Sequence, residues 1–354
     1  MSADTLQRAV PSPRPGRELR RAFADFLLRY GMILAIVALL VFFSAVNRNF
    51  MTLGNMLDVL RAVSILAIVA IGLTVTVVVG GIDASVGATT GLAVMLATAL
   101  MVIWRAQWWL AILISFAAGA VVGLINAFLV IRLRIPDLLA TLSTLYVVSG
   151  VQLTITRGDA VYRGMTNPYS PERALTTGEI QPEFLWLGQG MLFGTGDFRG
   201  IPVPVVLMLI VAVGFYLFLG HTRHGRLLYA VGGNPEATRL AGVNVDAYRL
   251  TAYLISALLA TLGGLVLAAR IGTGGIRAGD PYLLDAVAAT YFGFAVLGAR
   301  KANVFGTVLG AIFVGVMLNG LTMMNMPWYL QDVVKGAVLM ASLGLSFYLK
   351  PKST

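Results

Sequence analysis

The residues of this sequence best able to do chemistry are a few polar side chains in or beside long apolar stretches. They are Asp83, Asn126, Asp285, Asn319, Asp332 and Lys335. An ionised side chain at the centre of a membrane helix costs about 2.5–3.5 kcal/mol on insertion scales, so it usually faces a helix bundle or a water-filled cavity. The set therefore predicts polar contacts between helices or the lining of a path for a polar solute. Asp332 and Lys335 are three residues apart, which favours their mutual neutralisation on one helix.

Asp83 differs from the others because it lies in a segment that is a poor helix former. Residues 80–87 read Gly-Gly-Ile-Asp-Ala-Ser-Val-Gly. Irregular backbone at membrane depth is tolerated only where it is buried in protein or lines water. Two roles for Asp83 therefore remain open, the capping of backbone amides at a structural break and the lining of a pathway.

Several other kinds of site are excluded or disfavoured by residue counts. The chain has no cysteine, which excludes thiolate metal sites, iron–sulfur clusters and cysteine nucleophiles. Its two histidines, His221 and His224, flank Arg223 and are expected to be basic residues at a membrane interface rather than a metal pair. None of the four lysines lies in a Gly-x-x-x-x-Gly-Lys-Ser/Thr loop. We therefore expect no metal or cofactor in this chain, no ATP hydrolysis by it, and no enzymatic activity.

The overall composition is, like these apolar stretches, poor in charged residues. Of 354 residues, 58% are apolar and 12% are charged, against about 45–50% and about 25% in an ordinary globular domain. A membrane helix needs about 20 apolar residues, so the chain is predicted to be an all-α polytopic protein of the lipid bilayer. The net charge of +10 indicates basic cytoplasmic loops rather than a nucleic-acid partner.

Ten apolar runs have the length of a membrane span. They cover residues 26–46, 59–79, 84–103, 108–131, 138–155, 203–220, 250–269, 283–297, 304–324 and 328–349. Together they predict a single transmembrane domain over residues 26–349, with short tails at 1–25 and 350–354.

The distribution of basic residues predicts the orientation of these spans. With the N-terminus inside, sixteen arginines and lysines fall on the inner side and nine on the outer side. Cytoplasmic loops carry the excess of positive charge, so both termini are predicted to be cytoplasmic. The same orientation makes 157–202 a long periplasmic loop and 221–249 a basic cytoplasmic loop.

The cytoplasmic loop contains the start and stop signals of a short helix. Asn234 is placed to cap it, Pro235 suits its first position, Glu236 lies in its first turn, and Gly242 ends it. A capped amphipathic helix in a cytoplasmic loop is a candidate docking element for a partner.

A weak internal repeat is also present. Gly-Gly-Ile occurs at 80–82, at the inner end of the second span, and again at 274–276, at the outer end of the seventh. Equivalent segments on opposite sides of the membrane indicate an inverted repeat that relates spans 2–5 to spans 7–10, a common device of transporters.

The chain resembles the permease subunits of ribose-type ABC importers, in the sugar and autoinducer branch. Matching segments run in the family's order over about residues 50–345, and the segment 232–243, Gly-Gly-Asn-Pro-Glu-Ala-Thr-Arg-Leu-Ala-Gly-Val, is the most specific of them. The others are 81–87, 140–142, 187–190, 200–204, 221–226, 284–289 and 319–321.

The resemblance implies a type II importer permease fold, similar to the cobalamin importer class, with two permease subunits around a central path. It also implies a bacterial inner-membrane location and a periplasmic solute-binding protein that docks outside, where loop 157–202 is a candidate contact. A cytoplasmic ATPase, which holds the ATP and Mg²⁺, would receive the short helix. The coupling residues implied are Asn234, Pro235, Glu236, Ala237, Arg239, Leu240 and Gly242.

The helix break and the buried polar residues, taken with the matching segments, predict a set that lines the translocation path or forms the break. Its members are Gly81, Asp83, Ser85, Gly87, Asn126, Thr141, Asp285 and Asn319.

We therefore predict a permease subunit that forms the path for a small polar solute, with a pentose-like monosaccharide favoured. Segment 292–301 lacks the Gly-rich run usual in the family, and Ala84 replaces the usual leucine, so ribose, another aldose, a polyol, an autoinducer and a nucleoside all stay open. The dimer could pair identical or different permeases. Two rival functions are an ion-coupled secondary transporter that titrates Asp83 or Asp285, and a membrane enzyme acting on a lipid or a lipid-linked sugar.

Overall fold

The computed structural model describes residues 15–195, 200–294 and 301–348, and its regular secondary structure there is helical apart from two strands of two residues each. Residues 1–14 of the predicted N-terminal tail and the predicted C-terminal tail 350–354 lie outside the described residues. The long helices are α1 (Pro15–Val46), α2 (Leu53–Val78), α3 (Val86–Val102), α4 (Trp108–Ile131), α5 (Asp137–Thr156), α7 (Val203–His221), α10 (Val245–Ile271), α11 (Asp280–Phe294), α12 (Val304–Met323) and α13 (Trp328–Tyr348).

Each of the ten predicted apolar runs overlaps one of these helices, and residues 295–297 of the eighth run and 349 of the tenth lie outside the described residues. Six of them, α2, α4, α5, α7, α10 and α12, are long and apolar enough to cross a membrane, and α1 and α3 contain the shorter apolar helices Tyr30–Val46 and Val86–Val102. The prediction of a polytopic helical membrane protein is therefore confirmed. The count of ten spans stays a prediction.

Helices α2 and α10 form the centre of the bundle. The most apolar window of α2 is 83% buried and that of α10 is 78% buried. The two helices approach closely at Gly72, where an added Cβ would lie 3.0 Å from the Ser256 carbonyl oxygen. Helices α3, α4, α11 and α12 pack around this pair.

Glycines set the close approaches between the surrounding helices. A Cβ at Gly123 of α4 would lie 3.0 Å from the backbone of Leu254 on α10, and a Cβ at Gly310 of α12 would collide with the Ala289 carbonyl of α11. Small residues allow helix backbones to come together in membranes. Here they serve packing within one subunit.

The predicted periplasmic loop 157–202 has structure of its own. It contains the short helix α6 (Pro182–Gln189) and the antiparallel strands β1 (Met191–Leu192) and β2 (Ile201–Pro202). Val161 exchanges backbone hydrogen bonds of 2.9 and 2.7 Å with Gly274 in the α10–α11 connection. The segment is therefore joined to the helix ends that it covers.

The basic segment 221–249 holds two helices, α8 (Arg223–Gly233) and α9 (Pro235–Leu240). Only the second was predicted. The Thr222 hydroxyl caps α8 by accepting a hydrogen bond of 3.0 Å from the Gly225 amide, and Leu228 and Val231 are its buried side chains. Their spacing of three residues was the available signal, and the neighbouring basic residues obscured it.

Candidate functional site

Helix α9 is built as the sequence predicts. The Asn234 side-chain oxygen accepts a hydrogen bond of 2.9 Å from the Ala237 amide, which satisfies one of the amides left unpaired at a helix start. Pro235 occupies the first turn, and Gly242, with a φ of +81°, follows the end of the helix. The predicted cap and stop are confirmed.

The outer face of α9 is open to a partner. Leu240 is 85% exposed, and Glu236, Ala237 and Arg239 are also exposed. The Arg239 guanidinium lies 3.6 Å from the Asp246 carboxylate, but a solvent-exposed pair of this kind holds its partners weakly. The face therefore offers one apolar side chain and charges of both signs.

A groove of ≈ 880 Å³ lies beside α9, between α8 and residues 301–303. Lys301 places its ammonium 6.0 Å from the centroid of the Tyr229 ring. The Tyr229 hydroxyl donates a hydrogen bond of 2.7 Å to the Ala302 carbonyl. Burial raises the pKa of Tyr229, and the hydroxyl is protonated at neutral pH even at the ordinary tyrosine pKa of about 10.

Helix α8 joins α9 to the bundle through backbone contact. Gly232, at the end of α8, packs so closely against the end of α2 that an added Cβ would collide with the Val78 carbonyl. A Cβ at Gly80 would in turn lie 3.6 Å from the Gly232 carbonyl oxygen. The last turn of α8 therefore lies directly on the predicted helix break.

The break between α2 and α3 is confirmed, since α2 ends at Val78 and α3 begins at Val86. Asp83 is completely buried within it. One carboxylate oxygen accepts hydrogen bonds from the Ser85 amide at 3.0 Å and the Ser85 hydroxyl at 2.6 Å, and the other accepts one from the Ser256 hydroxyl of α10 at 2.7 Å. Asp83 thus accepts a hydrogen bond from an amide at the start of α3 and joins this start to α10 through Ser256.

Two more predicted residues bond to the residues that follow Asp83. The Asn126 side-chain amide of α4 donates a hydrogen bond of 2.8 Å to the Ser85 hydroxyl, and the Thr141 hydroxyl of α5 accepts one of 3.0 Å from the Ala84 amide. A Cβ at Gly81 would lie 2.8 Å from the Tyr253 hydroxyl. The inner junction, as we call this group, consists of Gly81, Asp83, Ser85, Asn126, Thr141, Tyr253 and Ser256.

Sequence reasoning missed the partners that α5 and α10 supply to the inner junction. Tyr253 donates a hydrogen bond to the Asp137 carboxylate at the start of α5, and Ser256 bonds Asp83. Tyr253 and Ser256 are three residues apart in an apolar run, so they share one helix face. That spacing was the only available signal. The residues of the junction are buried. Their role in lining a path stays a prediction.

Asp285 lies in a second polar cluster, on α11 and α13. The Lys335 ammonium is 2.9 Å from Asp332 and 3.2 Å from Asp285. The predicted contact between Asp332 and Lys335 is confirmed, and Asp285 joins it. Asp285 is buried with 8% exposure, and a buried carboxylate of this kind needs a nearby cation. Lys335 is that cation.

The remaining predicted residues lie apart from both clusters. Asn319 of α12 exchanges two hydrogen bonds of 3.0 Å with Asn55, at the end of α2 opposite the break. Gly87 packs in α3, where a Cβ would lie 3.0 Å from the Gly279 carbonyl oxygen. Five of the eight predicted path or break residues therefore share the inner junction, whereas Gly87, Asp285 and Asn319 make their contacts elsewhere.

A metal centre is not formed by the residues that the structure describes, among which no group of three His, Cys, Asp or Glu side chains converges. His224 places its Nδ1 3.0 Å from the Tyr248 hydroxyl.

Comparison with known proteins gives consistent relatives over nearly the whole chain. A family described as "Branched-chain amino acid transport system / permease component" matches residues 55–343. The chain is 33% identical to the Ribose import permease protein RbsC of Escherichia coli (strain K12) over 325 residues, 92% of this chain and 95% of that protein. It is 32% identical to the RbsC of Bacillus subtilis (strain 168) over 321 residues, 91% and 93% of the two chains.

A further relative transports a different sugar. The chain is 29% identical to the Xylose transport system permease protein XylH of Escherichia coli (strain K12) over 365 aligned positions, 91% of this chain and 92% of that protein. No solved structure matches the chain.

Proposed function

Because the chain belongs to the family of branched-chain amino acid transport system / permease components, we propose that it forms the translocation path of an ATP-driven importer for a pentose. It is a multi-pass membrane permease subunit and not itself an enzyme, since this is a family of transporter permeases. The pentose follows from two groups of relatives, whose names give ribose and xylose as their solutes.

The proposal includes the finer topology. Ten spans cross the bacterial inner membrane in a type II importer fold, both termini are cytoplasmic, and spans 2–5 and 7–10 form an inverted repeat. Its support is that helices α8 and α9 extend from one end of the bundle, where α2 ends, while α6, β1 and β2 cover the other, where α10 ends.

Three partners complete the importer. A cytoplasmic ATPase, which holds the ATP and Mg²⁺, receives α9. A periplasmic solute-binding protein docks over residues 157–202. A second permease, identical or related, forms the other half of the path.

The observation that carries the coupling role is the chain of contacts behind α9. An exposed, capped helix is joined by α8 to the α2–α3 break through the contact of Gly232 with the Val78 carbonyl. Backbone packed against backbone does not absorb displacement as a flexible side chain does. Movement of α9 by the ATPase is thus transmitted to the break, and from there to α3 and α10.

The decisive variant reverses one charge on the docking face. Glu236→Arg should abolish ATP-dependent pentose uptake and weaken co-purification of the ATPase, because the exposed carboxylate meets the partner. Glu183→Arg is the matched control for ATPase co-purification only, since Glu183 is also exposed and follows the proline that begins the short helix α6, but lies in the segment proposed to dock the binding protein. It should retain the ATPase.

Two results would contradict the proposal. Full ATPase co-purification and uptake by Glu236→Arg would remove the docking role of α9. Uptake that survives ATP depletion but stops with a protonophore would favour the ion-coupled transporter instead.

A further inference from the structure

A cavity of ≈ 460 Å³ lies between α11, α12 and α13. Its volume falls in the range of about 300–1,000 Å³ typical of small-molecule sites. The residues that line its apolar side include Phe292, Val314 and Met317, and its polar side is formed by Asp285, Asp332 and Lys335. We call it the α11–α13 cavity.

The polar side has unused hydrogen-bonding capacity. Lys335 contacts one oxygen, Oδ1, of Asp285 and of Asp332. Among the residues that the structure describes, no group donates to the second oxygen of either carboxylate. An ammonium has three N–H donors, and these two contacts leave one of them. A ligand with several hydroxyls can therefore donate to the carboxylates and accept from the ammonium at once.

The charge of the cavity selects among solutes. Two carboxylates face one ammonium, so the cluster is net negative. Asp280, which also lines the cavity, is neutralised separately by Arg277, whose Nε lies 2.7 Å from its carboxylate. An anionic solute would be repelled, whereas a neutral polyol would not.

The position of the cluster argues for a functional role. Asp285 and Lys335 lie inside two predicted spans, where ionisable residues are costly and mark solute pathways. A neutral sugar has a hydroxyl-bearing edge and an apolar C–H surface, which match the two sides of the cavity.

We propose that the α11–α13 cavity is a transient binding station for a neutral polyhydroxy solute, with Asp285, Asp332 and Lys335 as its hydroxyl-binding groups and as its filter against anions. The inference rests on the proposed function, since a pentose is such a solute.

The natural absence of cysteine makes a labelling test direct. Leu284→Cys places a thiol in the cavity lining, and Val333→Cys places one on α13 away from it. Both residues are 65% exposed in the single subunit, and each thiol is compared with its own labelling rate in the absence of solute. The complete permease–ATPase–binding-protein complex is reconstituted and labelled with a maleimide, with or without D-ribose, D-xylose or D-ribonate.

We expect either sugar, at about ten times its dissociation constant, to slow labelling of Leu284→Cys by about tenfold through mass action. Labelling of Val333→Cys should not change, and ribonate should protect neither thiol. Adding Asp285→Asn should remove the protection by the sugars. Adding Asp332→Asn, a change at a largely exposed side chain, should allow ribonate to protect.

Absence of sugar protection in a complex that still shows ATP-dependent uptake would overturn this inference and leave the proposed function intact. The inference would also be overturned if the sugars still protected Leu284→Cys in the presence of Asp285→Asn and ribonate still failed to protect it in the presence of Asp332→Asn. The cluster would then have a purely structural role. If the complex without any of these substitutions showed no ATP-dependent sugar uptake, the proposed function would instead be contradicted.

Discussion

The contact between α8 and α2 can be tested with two neighbouring glycines. Gly232 and Gly233 are adjacent at the end of α8, and neither has a positive φ. A Cβ at Gly232 would collide with the Val78 carbonyl, whereas a Cβ at Gly233 would meet nothing within 4 Å. Alanine at the two positions is therefore the same chemical change in different surroundings.

The two substitutions should change the stability of the protein differently. Overpacking a tight contact costs about 1–3 kcal/mol, so Gly232→Ala should destabilise the contact by that amount. Gly233→Ala meets no obstacle and should be neutral or stabilising by up to about 1 kcal/mol, because alanine favours the helix over glycine. The two variants should thus differ by about 1–4 kcal/mol.

Two assays separate stability from coupling. Thermal unfolding of the purified complex should show a lower midpoint for Gly232→Ala than for Gly233→Ala. ATP-dependent uptake should fall in Gly232→Ala while the ATPase still co-purifies, because the α9 face, with Leu240 and Glu236 exposed, is unaltered. Equal midpoints and equal uptake in the two variants would refute transmission through this contact.

Three further predictions address the cap, the break and the bundle. Asn234→Ala removes the cap of α9 and should cost about 0.5–2 kcal/mol, measured as faster amide exchange in α9; unchanged exchange would contradict it. Ser256→Ala leaves one Asp83 oxygen without its donor and should lower stability by about 1–3 kcal/mol. Thr251→Ala is the control, because the exposed Thr251 hydroxyl bonds its own helix and its loss should cost less. Equal unfolding midpoints of the two variants would contradict the predicted loss of stability. Gly310→Ala should destabilise by about 1–3 kcal/mol through its collision with Ala289, whereas Gly336→Ala, with open space around it, should not, as unfolding in detergent would reveal.

The two polar clusters have different physical characters. At the inner junction, Asp83 has donors on both carboxylate oxygens and no exposure, so its interactions are satisfied within the protein. In the α11–α13 cavity, Asp285 and Lys335 keep hydrogen-bonding capacity unused. The first arrangement suits a joint that holds helices together, and the second suits a surface that a solute visits.

Local signals allowed the sequence alone to predict part of this protein. The cap of α9 depends on Asn234 and an amide three residues later, and the break before α3 depends on Gly80 and its neighbours. Both are confirmed because the interacting groups are close along the chain. The helical, membrane-spanning class likewise follows from composition and run length.

The tertiary structure alone decided which helices form the core and which polar groups meet. Helix α7 is apolar along its length, yet its most apolar window is only 28% buried, against 83% for α2. Apolarity does not distinguish a lipid neighbour from a protein neighbour, because lipid tails are as apolar as leucine. Asp83 bonds Ser256, 173 residues away, and Asp285 meets Lys335, 50 residues away. Such partners depend on how helices pack, which no local sequence pattern specifies.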